Sequence, residues 1–221
     1  TALVIQMKQR LSQPGHVIGM RRVGSLNAIE STPEGLRIGA LCTQRQIENS
    51  ELVGKEVPLV ADTFRKVATP RIRNMATIGG GLVNGHPNQD PPPSLIALGA
   101  SAVMTSKSGD RVVLLEEFFI DYYETDVQPG EILTNVMVPH APAGSGSVYL
   151  KFLPRTADDY GTVNVAAVVS KEQDGTCKDV RIVLGAAGVT PIRAKDAEDA
   201  LRGKPLTDEP RLISHSTFPV W

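Results

Sequence analysis

Apolar and polar positions alternate with a period of two over several short stretches of this chain, and each stretch ends on a turn signal. Gly35 to Leu41 sets Leu36, Ile38 and Ala40 against Arg37 and Gly39, the pattern of a half-buried strand. Ala102 to Thr105 and Arg111 to Leu115 flank Ser108-Gly-Asp110, which reads as a hairpin. Ile132 to Val138 is a further strand, closed by Pro139. Beyond it come Ser147 to Leu153, Val163 to Lys171, a turn at Asp174-Gly175, and Asp179 to Ala187; the last two runs pair as an antiparallel hairpin.

Helical periodicity fills the gaps. Thr43-Gln-Arg-Gln46 is a capping box that opens a short helix toward Ser50. Leu59, Val60, Phe64, Val67 and Ala68 follow at helical spacing and stop before Pro70. Pro93 to Gly99 predicts one or two turns with Gly99 as the stop, Leu114 to Phe119 a short helix, and Arg193 to Leu201 an amphipathic one. Strands do not alternate regularly with long helices, so the class is α+β with two subdomains. His140-Ala-Pro-Ala-Gly-Ser-Gly146 has linker composition and predicts a domain over 1–142 and a smaller one with an antiparallel sheet over 147–221.

Thr69-Pro-Arg-Ile-Arg-Asn-Met-Ala-Thr-Ile-Gly-Gly-Gly81, continuing to Asn84-Gly-His-Pro-Asn-Gln-Asp90, interrupts these patterns. Gly79, Gly80 and Gly81 have no Cβ to hold a ligand away, and successive N–H groups there can turn toward one anion. Pro87, Pro91, Pro92 and Pro93 follow, so no long helix is expected to start from the glycines. A Rossmann fingerprint must open such a helix, and a Walker loop needs Gly-Lys-Ser/Thr, which is absent. A glycine anion loop with Asp90 beyond it suits a pyrophosphate joined to a hydroxylated sugar or a base.

Composition narrows the class without choosing within it. The 221 residues carry 23 basic and 24 acidic side chains for a net charge of −1, which leaves no electrostatic footprint for nucleic acid. No apolar run approaches the roughly 18 residues that a membrane span requires. Cys42 and Cys177 are the two cysteines, far apart and without ligand-spaced neighbours, so the expectation is reduced thiols in a cytoplasmic protein with no metal or iron–sulfur cluster of its own.

Ile72-Arg-Asn74, Thr77-Ile-Gly-Gly-Gly81 and Asp90-Pro-Pro92 together resemble the FAD-binding (medium) subunit of molybdenum hydroxylases, the xanthine dehydrogenase and carbon monoxide dehydrogenase type. Thr1-Ala-Leu3 resembles the tail of that family's first flavin loop. Gly35-Leu-Arg-Ile-Gly-Ala40, Pro129-Gly-Glu-Ile-Leu133 and Lys151-Phe through Asp159-Tyr160 resemble further family segments in the same order. The resemblance runs over nearly the whole chain. It implies a PCMH-type FAD-binding domain followed by an α+β domain. It also sets the first loop's glycines upstream of Thr1, so the chain reads as truncated at both ends.

By the resemblance, Thr1, Thr77, Ile78, Gly79, Gly80 and Gly81 belong to the flavin loops, with the glycine backbone and the Thr77 hydroxyl near the pyrophosphate. Asp90 accepts from a hydroxyl or amine of the cofactor, or simply caps a helix ahead of Pro91. Leu133 is a core strand residue that packs toward the adenine or flavin. Lys151 approaches the flavin, where a cation favours the anionic reduced ring; on its own strand pattern it would be a solvated lysine. Asp159 and Tyr160 lie on a loop beside the ring, with Tyr160 either stacked on it or an ordinary core or surface tyrosine. Arg71, Arg73 and Asn74 pair ions or cap. Two departures stand out: Gly81 replaces the usual Asn or Asp, and Asn84-Gly-His-Pro87 replaces a small-residue stretch, leaving His86 as a surface histidine.

The implied function is electron transfer. A large subunit holding molybdopterin performs the substrate chemistry, and a small subunit with [2Fe-2S] clusters passes electrons to FAD, in a dimer of heterotrimers. An acceptor such as NAD or O2 then takes them. The competing readings are a stand-alone FAD oxidoreductase and a non-enzymatic interaction subunit that has lost flavin.

Overall fold

The computed structural model describes residues 1–153, 155, 156 and 158–206. Helix α1 (Ala2–Lys8) has no buried residue and lies against the rest of the chain as a flap. Strands β1 (Ile29–Thr32) and β2 (Gly35–Gly39) form the first hairpin, with Leu36 and Ile38 wholly buried. Four short helices follow: α2 (Gln44–Asn49), α3 (Glu51–Glu56), α4 (Pro58–Arg65) and α5 (Pro70–Arg73). The predicted capping box is formed: the Gln46 N–H donates to the Thr43 hydroxyl, and the Thr43 N–H donates to the Gln46 side chain.

Helix α6 (Ile78–Asn84) is a correction. No long helix starts here, as expected, but the glycines sit in a short helix of seven residues and not in an open loop, because Thr77 caps it and the later prolines lie beyond its end. Gly85, at φ +60°, stops it in the left-handed conformation that glycine adopts without strain. Helix α7 (Pro91–Ala97) is buried along its whole length, apolar but for Ser94, whose hydroxyl bonds that of Thr63 at 2.6 Å. Its three prolines supply φ near the helical value and remove N–H groups that would have no partner at a helix start.

The hairpin β3 (Ser101–Ser106) and β4 (Gly109–Leu114) leads to α8 (Leu115–Phe118) and to the small pair β5 (Phe119–Asp121) and β6 (Glu124–Thr125). Strand β7 (Ile132–Val138) then enters the middle of an antiparallel sheet of order β1-β2-β7-β3-β4. After an exposed connection come β8 (Gly146–Phe152), β9 (Val163–Lys171), β10 (Cys177–Gly185), β11 (Ile192–Arg193) and α9 (Lys195–Leu201). The second sheet has the order β11-β10-β9-β8, again antiparallel. This is the mixed α+β class expected, with antiparallel sheets.

One hydrophobic core joins both sheets. Phe64 of α4, Leu95 of α7, Phe118 of α8 and Val136 of β7 share it with Tyr149, Ala166 and Val183 of the second sheet. Each fully buried large apolar side chain contributes about 1.5–3 kcal/mol relative to exposure. Helix α7 is the shared wedge: it packs on β9 and β10 on one side and on α4 and α8 on others. The candidate site lies where this wedge begins.

Candidate functional site

The segment from Thr77 to Asp90 runs along one side of two adjoining clefts, of about 640 and 360 Å³. Both are lined by Thr1, Ala2 and Gln6 of the α1 flap, by Ile72 and Asn84, and by Tyr160. Thr77, Gly80, Gly81 and Gln89 line the smaller cleft; His86, Asp90, Tyr123, Asp158 and Asp159 line the larger one. Volumes of this size are ordinary for cofactor sites.

At the glycine end the N–H groups are already used. Ile78 N–H donates to Cys42 O and Gly79 N–H to Ala40 O, each at 3.0 Å. Gly80 N–H donates to the Thr77 hydroxyl at 3.1 Å, and Gly81 N–H to Thr77 O at 3.0 Å. The expected row of N–H groups facing outward is therefore not formed here, because helix formation and the Ala40–Cys42 segment take those donors. What the smaller cleft offers is the Thr77 hydroxyl, whose own proton can point outward, and a surface with no side chains at Gly80 and Gly81. The three glycines also differ. A Cβ on Gly79 would stand 2.6 Å from Ala40 Cβ and 2.9 Å from Ala40 O, so this glycine is required by packing. A Cβ on Gly80 would meet the Thr77 hydroxyl at 2.9 Å and nothing else, and one on Gly81 would meet the Gln89 side chain at 3.2 Å.

At the other end Asp90 is 2% exposed and does not cap α7 with its side chain. Tyr149 donates its hydroxyl to Asp90 Oδ1 at 2.5 Å, and Lys151 Nζ pairs with Oδ2 at 3.0 Å. Lys151 also donates to Lys66 O at 2.9 Å, while Lys66 Nζ donates to Tyr149 O at 2.6 Å and stands over the Tyr149 ring. These bonds tie β8 of the second sheet to the end of α4 and the start of α7. Burial pushes the Asp90 carboxyl above its usual range, opposed by the Tyr149 hydrogen bond and the Lys151 charge. Burial, followed by the neighbouring Asp90 charge, also raises the Tyr149 phenol. The Lys151 side chain is itself 2% exposed, so it is no solvated strand lysine. Its ammonium is committed to Asp90 and Lys66.

The wall of the larger cleft is aromatic. His86 stacks on Tyr160 with ring centroids 4.4 Å apart and planes 14° from parallel, and Tyr123 meets His86 edge-on at 5.2 Å. His86 is half-buried, which corrects the expected surface histidine: Gly85 turns the chain so that the imidazole passes under the Tyr160 ring. Burial lowers the His86 pKa and raises that of Tyr160.

Among the expected site residues, Thr1, Thr77, Gly80, Gly81, Asp90, Asp159 and Tyr160 line the clefts. Ile78, Gly79 and Leu133 are buried in the core beside them. Arg73 pairs with Glu48 and donates to Val67 O and Ala68 O, as an ion-pairing and capping residue would. Tyr149 and Tyr123 escaped the sequence reading. Tyr149 shares the inward-facing parity of Lys151 on β8, which was the available signal; Tyr123 gave none.

No group of metal-ligating side chains occurs among the described residues. Together the two clefts present a hydroxyl and bare backbone at one end and stacked aromatics at the other. Known proteins resemble this chain over most of its length. The family described as FAD binding domain in molybdopterin dehydrogenase matches residues 1–141, and the CO dehydrogenase flavoprotein C-terminal domain matches residues 148–212. The carbon monoxide dehydrogenase medium chain of Afipia carboxidovorans is 36% identical over 96% of this chain and 72% of its own length. The nicotine 6-hydroxylase medium subunit of Paenarthrobacter nicotinovorans is 37% identical over 94% and 72%. A structure of carbon monoxide dehydrogenase from Hydrogenophaga pseudoflava superposes with a TM-score of 0.89 at 35% identity, over 94% of this chain and 71% of that one. The chain belongs to the family of FAD-binding medium subunits of molybdenum hydroxylases.

Proposed function

We propose that this chain carries FAD as the electron-transfer subunit of a molybdopterin-dependent dehydrogenase or hydroxylase, and that the two adjoining clefts hold it. The observation that carries the reading is the continuity of the Thr77–Gly81 end with the Tyr160 end. The Thr77 hydroxyl donates to the pyrophosphate, and bare Gly80 and Gly81 let it approach. Asp90, with a free lone pair on each oxygen beyond its bonds to Tyr149 and Lys151, accepts from a cofactor hydroxyl or amine at the larger cleft. Tyr160 offers a ring to stack on the isoalloxazine, and Asp159 and the flap residue Thr1 close the sides.

When bound, FAD supplies the redox chemistry, exchanging electrons singly or in pairs. The chain's contribution is to position the cofactor and set its surroundings. Lys151 would act through Asp90: its ammonium pairs with that carboxylate, opposing the effect of burial, and fixes its position at the cleft. The partners are a large subunit with molybdopterin and a small subunit with [2Fe-2S] clusters, assembled as a dimer of heterotrimers; relatives named as medium chains support the presence of further subunits. An acceptor such as NAD or O2 receives the electrons. The complex is placed in the cytoplasm, supported by two free, buried thiols in Cys42 and Cys177. No helix among the described residues is long and apolar enough to cross a membrane.

The test is the visible spectrum of the protein purified with its co-eluting subunits, followed by heat release and identification of the flavin. The expected result is one FAD per chain. Absence of flavin from the intact complex would favour the interaction-subunit reading. A flavin-loaded chain that oxidises substrate without partners would favour the stand-alone oxidoreductase.

A further inference from the structure

His86 is used by nothing in the reading above, and the residues around it fix both its place and its protonation state. Gly85 ends α6 at φ +60°, and a Cβ there would press within 3.3 Å of the Tyr123 backbone, so the chain must turn at this point. That turn sets the imidazole flat against one face of Tyr160, at 4.4 Å and 14°. Tyr123 closes its edge at 5.2 Å. The Asn88 N–H donates to His86 Nδ1 at 3.0 Å, so Nδ1 is an acceptor and the ring is neutral with its proton on Nε2. Burial acts in the same direction. Although His86 covers one face, Tyr160 remains 55% exposed, so much of the phenol still faces open space. The Tyr160 segment, Arg155 to Tyr160, otherwise carries exposed or half-exposed residues where it is described.

We propose that His86 is a positioning residue, a neutral aromatic backing that holds the Tyr160 ring at the angle where its open face stacks on the flavin. This rests on the FAD reading of the cleft. The backing links the cofactor's two ends mechanically: α6 carries Thr77 and Gly80 at its start and delivers His86 at its stop. Offset-stacked aromatic pairs have well-defined separations and angles, so a ring backed on one side loses less freedom when a ligand covers the other. A shift of the α6 helix would therefore be felt at both ends of the flavin.

The experiment uses the full chain, first free of flavin and then titrated with FAD, as parent, His86→Ala, His86→Phe and Tyr160→Leu. In the flavin-free parent the His86 ring protons should show an upfield ring-current shift in the NMR spectrum that disappears in Tyr160→Leu. On titration His86→Ala should bind FAD about fivefold more weakly than the parent, the scale of one aromatic contact. Its bound flavin should also fluoresce more, because the phenol no longer stays stacked. His86→Phe should restore both quenching and affinity. His86→Ala with unchanged affinity and fluorescence overturns the proposal, and so does His86→Phe behaving like His86→Ala while keeping the parent's melting temperature. Failure of the parent itself to bind FAD would instead overturn the cofactor reading and this inference with it.

Discussion

The two ends of the cleft are built by opposite means. The α6 end is local: Thr77, Gly79, Gly80 and Gly81 fall within about one helical turn, and their geometry is set by backbone bonds and missing side chains. The ring end is assembled from distant segments, with Asp90 held by Tyr149 and Lys151 from β8 and with His86 stacked on Tyr160. At the first end a change acts where it is made. At the second a change reaches the junction of the two sheets, because the bonds that shape the site also fasten β8 to α4 and α7. A cofactor site can thus combine a tolerant end with one on which the fold depends.

The largest effect should come from breaking the buried pair. Lys151→Met leaves Asp90 buried without its cation and should cost about 3–5 kcal/mol in denaturant unfolding. The double variant Asp90→Leu with Lys151→Met should recover much of that loss. If Lys151→Met were as stable as the parent, the ring end would not be the structural end, and the comparison would collapse.

Next come the glycines. Gly79→Val drives a branched side chain into Ala40 and should cost about 1–3 kcal/mol by overpacking. Gly80→Val disturbs only the Thr77 cap, worth about 1 kcal/mol, yet fills the space through which the pyrophosphate would approach in the proposed site. Calorimetry and FAD titration on the same two proteins separate the roles: the first loses stability, the second loses flavin. Equal behaviour of the two would erase the distinction drawn within the helix.

Acid titration sharpens the contrast between two kinds of ion pair. Hydrogen bonds from Arg111 hold the Glu131 carboxyl down at about 2, so its contribution is present above the ordinary carboxylate range and is lost as pH falls toward 2. Asp90 runs the other way. Its pKa is raised by burial, so protonation favours the native state, and its contribution falls as pH rises through the folded value. Unfolding measured from pH 6 down to 2.5 should therefore flatten in Arg111→Met and should not flatten in Asp90→Asn. The smallest effect is expected of Gly81→Asn: the new side chain has only the Gln89 amide to move, and stability should change by less than about 0.5 kcal/mol with no loss of FAD affinity.

Much of the fold was legible because its signals are local. The Thr43 capping box, the Pro139 stop after β7 and the left-handed Gly99 each act within a few residues of themselves. The helix on the glycines was missed for a physical reason. The prolines after the glycines bar only a long helix, and Gly85 ends α6 before the first of them. The buried state of Lys151 was out of reach, because an alternating strand does not say what covers its inner face, and Asp90 lies 61 residues away. His86 was visible only as a departure from the family's text, and its stacking partner is a loop residue from beyond the domain junction.

If the two adjoining clefts hold FAD as proposed, its pyrophosphate lies at Gly80 and its ring at Tyr160. The direct measurement is FAD titration, by flavin fluorescence, of the full-length parent, Gly80→Val and Tyr160→Leu, each checked for an unchanged fold. The account predicts one-to-one binding with strong quenching in the parent. Gly80→Val should lose affinity, by at least about tenfold, a change worth roughly 1.4 kcal/mol. Tyr160→Leu should lose quenching more than affinity. Equal binding and equal quenching in all three would contradict it.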